Sequence, residues 1–293
     1  MGPILFLVFI NDISRDISSS IRLFADDTII YRRITSPEDA SALQQDLTRL
    51  DRWSREWQME FHPSKCNSIH FTRSWNPIKS DYYVYGTLLQ TLTSVRYLGI
   101  DISSDLRWNK HITATKNKAS GTLKFLQRNL RITSNQIKTT AYMSFVRPRL
   151  EYGSTVWDPH TQNNIDKLEM VQRRASRWVL GRFLQHSSVG EMLELLKWPS
   201  LQQRRTDSRL AMLFKMHNNI VAIDTSAMLI PMTGLANSLN PHKFVVPQTN
   251  TLLHRNSFYP RTIREWNALP AGTALAPSLE TFKRRLGQVS SLA

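Results

Sequence analysis

Two adjacent carboxylates, Asp26 and Asp27, stand between two short apolar runs, Ile21 to Phe24 and Thr28 to Tyr31. Runs of that length, rich in Ile, Leu, Phe and Tyr, read as strands. The stretch Phe24-Ala25-Asp26-Asp27 is then the turn, and the acids sit at the tip of a β-hairpin. Acidic residues also favour turns for local hydrogen-bonding reasons, so an isolated Asp-Asp is more often an ordinary turn, and the context must decide. Two negative charges held side by side cost energy unless a cation neutralises them. Hard oxygen donors at a strand tip suit Mg²⁺, which takes one or two carboxylates plus substrate phosphates. The chemistry indicated is phosphoryl or nucleotidyl transfer.

The surrounding elements must position that tip. Ser36-Pro37-Glu38-Asp39 starts a helix, with a Ser cap, Pro at the first helical position and acids in the first turn. Leu43, Leu47, Leu50, Trp53 and Trp57 follow at helical spacing and form one apolar face. Strands are expected over Ser68 to Thr72, Tyr82 to Tyr85, Thr87 to Gln90 and Val95 to Ile102. From Trp108 the period changes from two to 3.6. Helices are expected over Asn109 to Leu130, Ser134 to Leu150, Asn163 to Leu180, Val189 to Leu196 and Leu201 to Ile220, with a long loop over Ile223 to Leu253.

Charge divides the chain at the same place. Residues 1–107 carry 12 Lys and Arg against 13 Asp and Glu, so the whole excess of +15 comes from residues 108–293. Such asymmetry is a footprint for a polyanion. In the third helix Ile165, Leu168, Val171, Ala175, Trp178 and Val179 share a face, while Arg173, Arg174 and Arg177 point away from it, toward phosphates or toward water. Of eight tryptophans, Trp108 and Trp157 lie at segment ends beside polar residues and are the candidates for stacking on bases. A single cysteine, Cys66, excludes an intramolecular disulfide and a Cys-rich zinc module. The apolar stretch at the N-terminus is too short for a membrane span and has no basic leader, so an intracellular protein is expected.

Several motifs carry a family resemblance. Gly2 to Ile13 resembles the segment that follows the template-contacting loop of LINE-type, non-LTR retrotransposon reverse transcriptases. Phe24-Ala25-Asp26-Asp27 is similar to their aromatic-x-Asp-Asp turn, with Phe in place of the more familiar Tyr. Trp57 to Cys66 and Tyr97-Leu98-Gly99-Ile100 resemble the next two palm motifs, in the same order. Arg173-Arg174-Ala175 and Phe258 to Asn267 resemble jockey-type C-terminal regions.

The resemblance implies an α+β fold: a partial polymerase palm over 1–107, a basic helical thumb-like region over 108–222 and a loop-rich C-terminal region over 223–293. It implies RNA-directed DNA polymerase activity through two Mg²⁺, with an RNA template, a DNA primer and dNTPs, in a nuclear and cytoplasmic ribonucleoprotein. Asp26 and Asp27 would be the metal ligands. Lys65 would be the general acid for the leaving pyrophosphate, unless it is an exposed loop lysine. Tyr97, Leu98 and Gly99 would grip the primer, and Arg173, Arg174 and Arg177 would meet nucleic acid. The family's first catalytic aspartate and its fingers would lie ahead of Met1. The chain is therefore expected to begin inside the palm and to be inactive alone, or to be a nucleic-acid-binding remnant.

Overall fold

Short apolar runs broken by turn residues shape the first 107 residues, and a helical period with basic outer positions shapes the rest. The computed structural model describes residues 2–182, 188–232 and 242–290, and it separates into two units, Met1–Arg107 and Trp108–Ala293. Helices combined with small two-stranded sheets make the fold α+β.

The first unit runs through helix α1 (Gly2–Ile10), the antiparallel hairpin β1 (Ser20–Phe24) and β2 (Asp27–Tyr31), and helix α2 (Pro37–Glu56). Six short strands follow: β3 (Asn67–Ser68), β4 (Tyr83–Val84), β5 (Thr87–Leu88), β6 (Gln90–Thr91), β7 (Ser94–Tyr97) and β8 (Ile100–Ser103). At the start of α2 the Asp39 carboxylate accepts from the Thr35 hydroxyl and amide and from the Ser36 amide. These bonds, the Thr35 hydroxyl's first, hold its pKa down at about 2. Leu47 and Leu50 are buried with Ile10, Ile13, Tyr82 and Val84, and Leu43 and Trp53 pack against them. Each such leucine contributes roughly 1.5–3 kcal/mol. Trp57, expected on the same face, lies one residue past the helix and is 43% exposed, meeting Phe9 edge-on at 4.7 Å.

Asp46 interrupts this apolar stripe and is fully buried. It accepts from the Ser18 amide at 3.1 Å, the Ser18 hydroxyl at 2.9 Å and the Ser19 amide at 2.8 Å, with Arg49 beside it. The carboxylate thereby ties the segment entering β1 to α2. Burial pushes its pKa up, but the hydrogen bonds from Ser19 and Ser18 outweigh burial and bring it from 3.8 to about 2. A depressed carboxylate stabilises the fold above its unfolded pKa and loses that contribution as pH falls through the folded value. Acid titration of the first unit's melting should accordingly show stability declining between about pH 4 and pH 2. Asp46→Ala should cost about 2–4 kcal/mol, because the buried Ser19 amide and the partly buried Ser18 amide lose their acceptor. It should also remove that part of the pH dependence.

The strands correct the sequence reading in three places. Of the strand expected over Ser68 to Thr72 only Ser68 pairs: β3 runs parallel to β6, and Phe71, Thr72 and Arg73 are exposed without a neighbouring strand. The run Thr87 to Gln90 divides at Leu89, whose side chain turns into the core while its amide donates to Tyr82. The stretch Val95 to Ile102 is a hairpin, β7 pairing with β8 around Leu98-Gly99. Both loop residues have positive φ, 45° and 81°, the geometry of a tight turn matched to strand twist, which favours glycine. Leu98 is thus a turn residue and not part of a strand.

The second unit comprises α3 (Asn109–Asn129), α4 (Asn135–Ala141), α5 (Arg147–Glu151), α6 (Ser154–Trp157), α7 (Gln162–Leu180), α8 (Val189–Leu195), α9 (Leu201–His217), α10 (Leu252–Arg255), α11 (Phe258–Asn267), α12 (Ala271–Ala274) and α13 (Leu279–Ser290). The helix expected over Ser134 to Leu150 is broken by a π turn at Tyr142–Val146. Pro148 has no N–H for the Ser144 carbonyl and its ring crowds that carbonyl, so the ladder widens there. Helix α3 packs on α7, while α11 and α13 pack on α9 around Leu213, Phe214, Ile263, Trp266 and Phe282.

Helices α11 and α13 stand where the sequence reads as loop-rich. Pro260 obscures the pattern, yet in the first turn of α11 its missing N–H has no intrahelical partner to lose. Of the loop expected over 223–253, residues 233–241 lie outside the described residues. Trp157 is corrected from a stacking candidate to a core residue: it is fully buried, and its indole N–H donates to the Tyr152 carbonyl at 2.8 Å. Trp108 is half-buried.

A buried ion network fastens the second unit. Asp158 accepts from Arg205 Nε at 2.7 Å and Arg209 Nε at 2.8 Å, and Arg261 Nη1 approaches it at 3.3 Å. Glu265 pairs with Arg209 at 2.8 Å.

Candidate nucleotidyl-transfer hairpin and nucleic-acid interface

The hairpin β1–β2 pairs Ser20 with Tyr31 through Phe24 with Asp27, which leaves Ala25-Asp26 as its two-residue loop. Ala25 takes a left-handed φ of 52°, a conformation that costs an alanine about 1–2 kcal/mol. Asp26 sits in the loop and Asp27 opens β2, and both are exposed. The inward side chains Ile21, Leu23 and Ile30 anchor the hairpin to the core of the first unit.

Tyr97, the last residue of β7, lies within the field of Asp27. Burial first, and Asp27's negative charge second, push its phenol above the ordinary 10. Leu98 and Gly99 form the turn that follows Tyr97. Lys65 ends a short 3₁₀ turn, Pro63–Lys65, and is exposed.

Among the described residues no three or more His, Cys, Asp or Glu side chains are grouped to hold a metal ion. Asp26 and Asp27 are oxygen donors of the kind Mg²⁺ takes, and they fit the role of one or two ligands while the remaining positions go to water or phosphate. A two-ion site, with metals ~4 Å apart, needs further carboxylates.

In the second unit, α7 buries Ile165, Leu168, Val171, Ala175, Trp178 and Val179 and turns Arg173 and Arg174 outward, with Arg177 half-buried. Arg173 is 3.9 Å from Asp166, a weak surface pair. Sequence reasoning expected the helix α3 but did not single it out as a candidate interface, although it carries five basic residues and no acid. Its signal is legible as the absence of Asp and Glu over 21 residues. Asp46 was likewise missed, although an acid inside an apolar stripe, with Ser18-Ser19 upstream, marks a carboxylate that must find buried partners.

Residues 1–102 match the family model described as reverse transcriptase (RNA-dependent DNA polymerase). The chain is similar to a probable RNA-directed DNA polymerase from transposon BS of Drosophila melanogaster, 26% identical over 190 residues, which covers 60% of this chain and 21% of that protein. It is also similar to the RNA-directed DNA polymerase from mobile element jockey of Drosophila funebris, 23% identical over 195 residues, covering 62% and 21%. These alignments are longer than the first unit and so extend into the basic one. By these matches the chain is similar to the reverse transcriptases of non-LTR retrotransposons.

An uncharacterized protein of Caenorhabditis elegans is 30% identical over 112 residues, 38% of this chain and 57% of that protein. No solved structure matches the chain. The chain spans about a fifth of the length of the transposon polymerases it matches. Its matched stretch, residues 1–102, contains both acidic-hairpin carboxylates, Lys65 and the Tyr97-Leu98-Gly99 turn. Among the described residues no helix is long and apolar enough to cross a membrane.

Proposed function

We propose that the first unit is the part of a polymerase palm that carries the acidic hairpin, and that the second is a thumb-like body that holds the nucleic acid. The reaction is RNA-directed DNA synthesis: attack of a primer 3′-hydroxyl on a dNTP, with release of pyrophosphate. The observation that carries this reading is the exposed Asp26-Asp27 pair on a two-residue hairpin tip, with Tyr97 in the field of Asp27, inside the stretch that matches the family. Asp26 and Asp27 would hold Mg²⁺. When bound, the metal supplies charge neutralisation at the transferring phosphate.

Lys65 is proposed as the proton donor to pyrophosphate and the Tyr97-Leu98-Gly99 turn as the support of the primer end. The outward arginines of α7 neutralise phosphates. A second reading, a nucleic-acid-binding chain without polymerase activity, is favoured by the lack of a third metal ligand among the described residues.

Primer extension on an RNA template separates the two. The chain by itself should give no product. Fused behind the fingers and first palm strand of a jockey polymerase, it should extend the primer under the first reading and stay inactive under the second. In the active fusion Lys65→Ala should slow synthesis about 10²-fold, the lower range for a lost general acid. An unchanged rate would make Lys65 a loop lysine only.

A further inference from the structure

Helix α3 carries Lys110, Lys116, Lys118, Lys124 and Arg128, with no Asp or Glu. Near its C-terminal end Gly121, Lys124, Gln127, Arg128 and Arg131 line a surface depression of about 390 Å³. Lys124, Arg128 and Arg131 are exposed, and among the described residues none of them makes an ion pair or side-chain hydrogen bond. Lys124 and Arg128 stand one turn apart, about 6 Å along the helix axis, where like charges destabilise a helix.

One structural role for these cations is to oppose the helix dipole. The C-terminal end of α3 presents only about half a negative charge, which leaves more than two of three positive charges uncompensated. Gly121 leaves room: a Cβ there would meet nothing within 4 Å.

Resting on the reading of the second unit as a nucleic-acid holder, we propose that this depression is a phosphate subsite. Lys124, Arg128 and Arg131 would grip phosphates of one nucleic-acid strand, and Gln127 would donate to a phosphate oxygen. A spacing of about 6 Å reaches two phosphates of a strand whose charges advance about 3.4 Å along a duplex axis. On α7, by contrast, Arg173 already has Asp166 nearby.

The test is binding of a fluorescein-labelled RNA–DNA duplex to the full chain, measured by anisotropy across salt concentrations. The comparison is between wild type, Lys124→Gln/Arg128→Gln/Arg131→Gln, Gly121→Glu and Arg173→Gln/Arg174→Gln. Each phosphate that is no longer neutralised lowers the slope of log K against log salt by about 0.9, so the triple α3 variant should flatten it by up to about 2.7. Gly121→Glu adds a negative charge at a lining residue of the depression, where a Cβ would meet nothing within 4 Å. It should weaken binding while its melting temperature stays level or rises, since glycine is a poor helix former.

Inorganic pyrophosphate at millimolar concentration should compete poorly; full displacement by it would assign the depression to a free phosphate ligand and overturn the strand subsite. If wild type binds with a steep slope and both α3 variants keep it, the inference fails while the nucleic-acid reading stands. If wild type shows no salt-dependent binding, both fail.

Discussion

Asp158→Ala is expected to destabilise the second unit by about 3–5 kcal/mol, the range for removing one partner of a buried charge cluster. Asp158 faces Arg205, Arg209 and Arg261, whose side chains are 0%, 2% and 13% exposed. Its removal leaves Glu265, 31% exposed, as the remaining counter-charge in the network. A whole domain holds only about 5–15 kcal/mol, so the variant should melt far below wild type or fail to fold. Arg205→Met in that background should recover part of the loss, because the charge stranded by Asp158→Ala is then gone. Chemical denaturation of the four species in a double-mutant cycle measures this. Additive costs would show that Asp158 and Arg205 act independently and that the network is not what fastens α9 to the α6–α7 connection.

Asp26→Asn carries the largest expected effect on chemistry. In the polymerase-competent fusion it should lower primer extension by about 10³-fold or more, since metal-assisted charge stabilisation is worth several kcal/mol. Asn keeps the shape and a carbonyl acceptor but removes the charge. Both acids are exposed, so the substitution should leave the melting temperature of the first unit unchanged. Asp27→Asn should be milder, and it should also lower the ionisation pKa of Tyr97 by removing the negative charge that now raises it. A titration of tyrosine absorbance in the two variants reads that difference directly.

How much of this was legible in the sequence depends on how local the determining forces are. The hairpin, the cap of α2 and the faces of α2 and α7 follow from runs, turn residues and period, and the structure carries them with small shifts at the ends. The short strands β3, β5 and β6 are set by which neighbour is available to pair, and that is a tertiary fact. Leu98 reads as a strand former, yet the register of Tyr97 with Ile100 leaves it in the turn. Trp157 looked exposed because its neighbours in the chain are polar, but Asp158 is polar in order to bind buried arginines. Helices α11 and α13 have clear apolar faces whose partner is α9, some forty residues or more upstream, and prolines between them hide the pattern. For the candidate site, the acidic pair was visible directly, whereas the influence of Asp27's charge on Tyr97 required the fold.

The most direct measurement is incorporation of labelled dNTPs on a primed RNA template by the jockey fusion, wild type beside Asp26→Asn, with Mg²⁺ present. Wild type should give RNA-dependent, Mg²⁺-dependent product, and the variant should lose at least about 10³-fold. A folded fusion that binds the primed template yet makes no product, or an Asp26→Asn variant that extends it at the wild-type rate, would contradict this expectation.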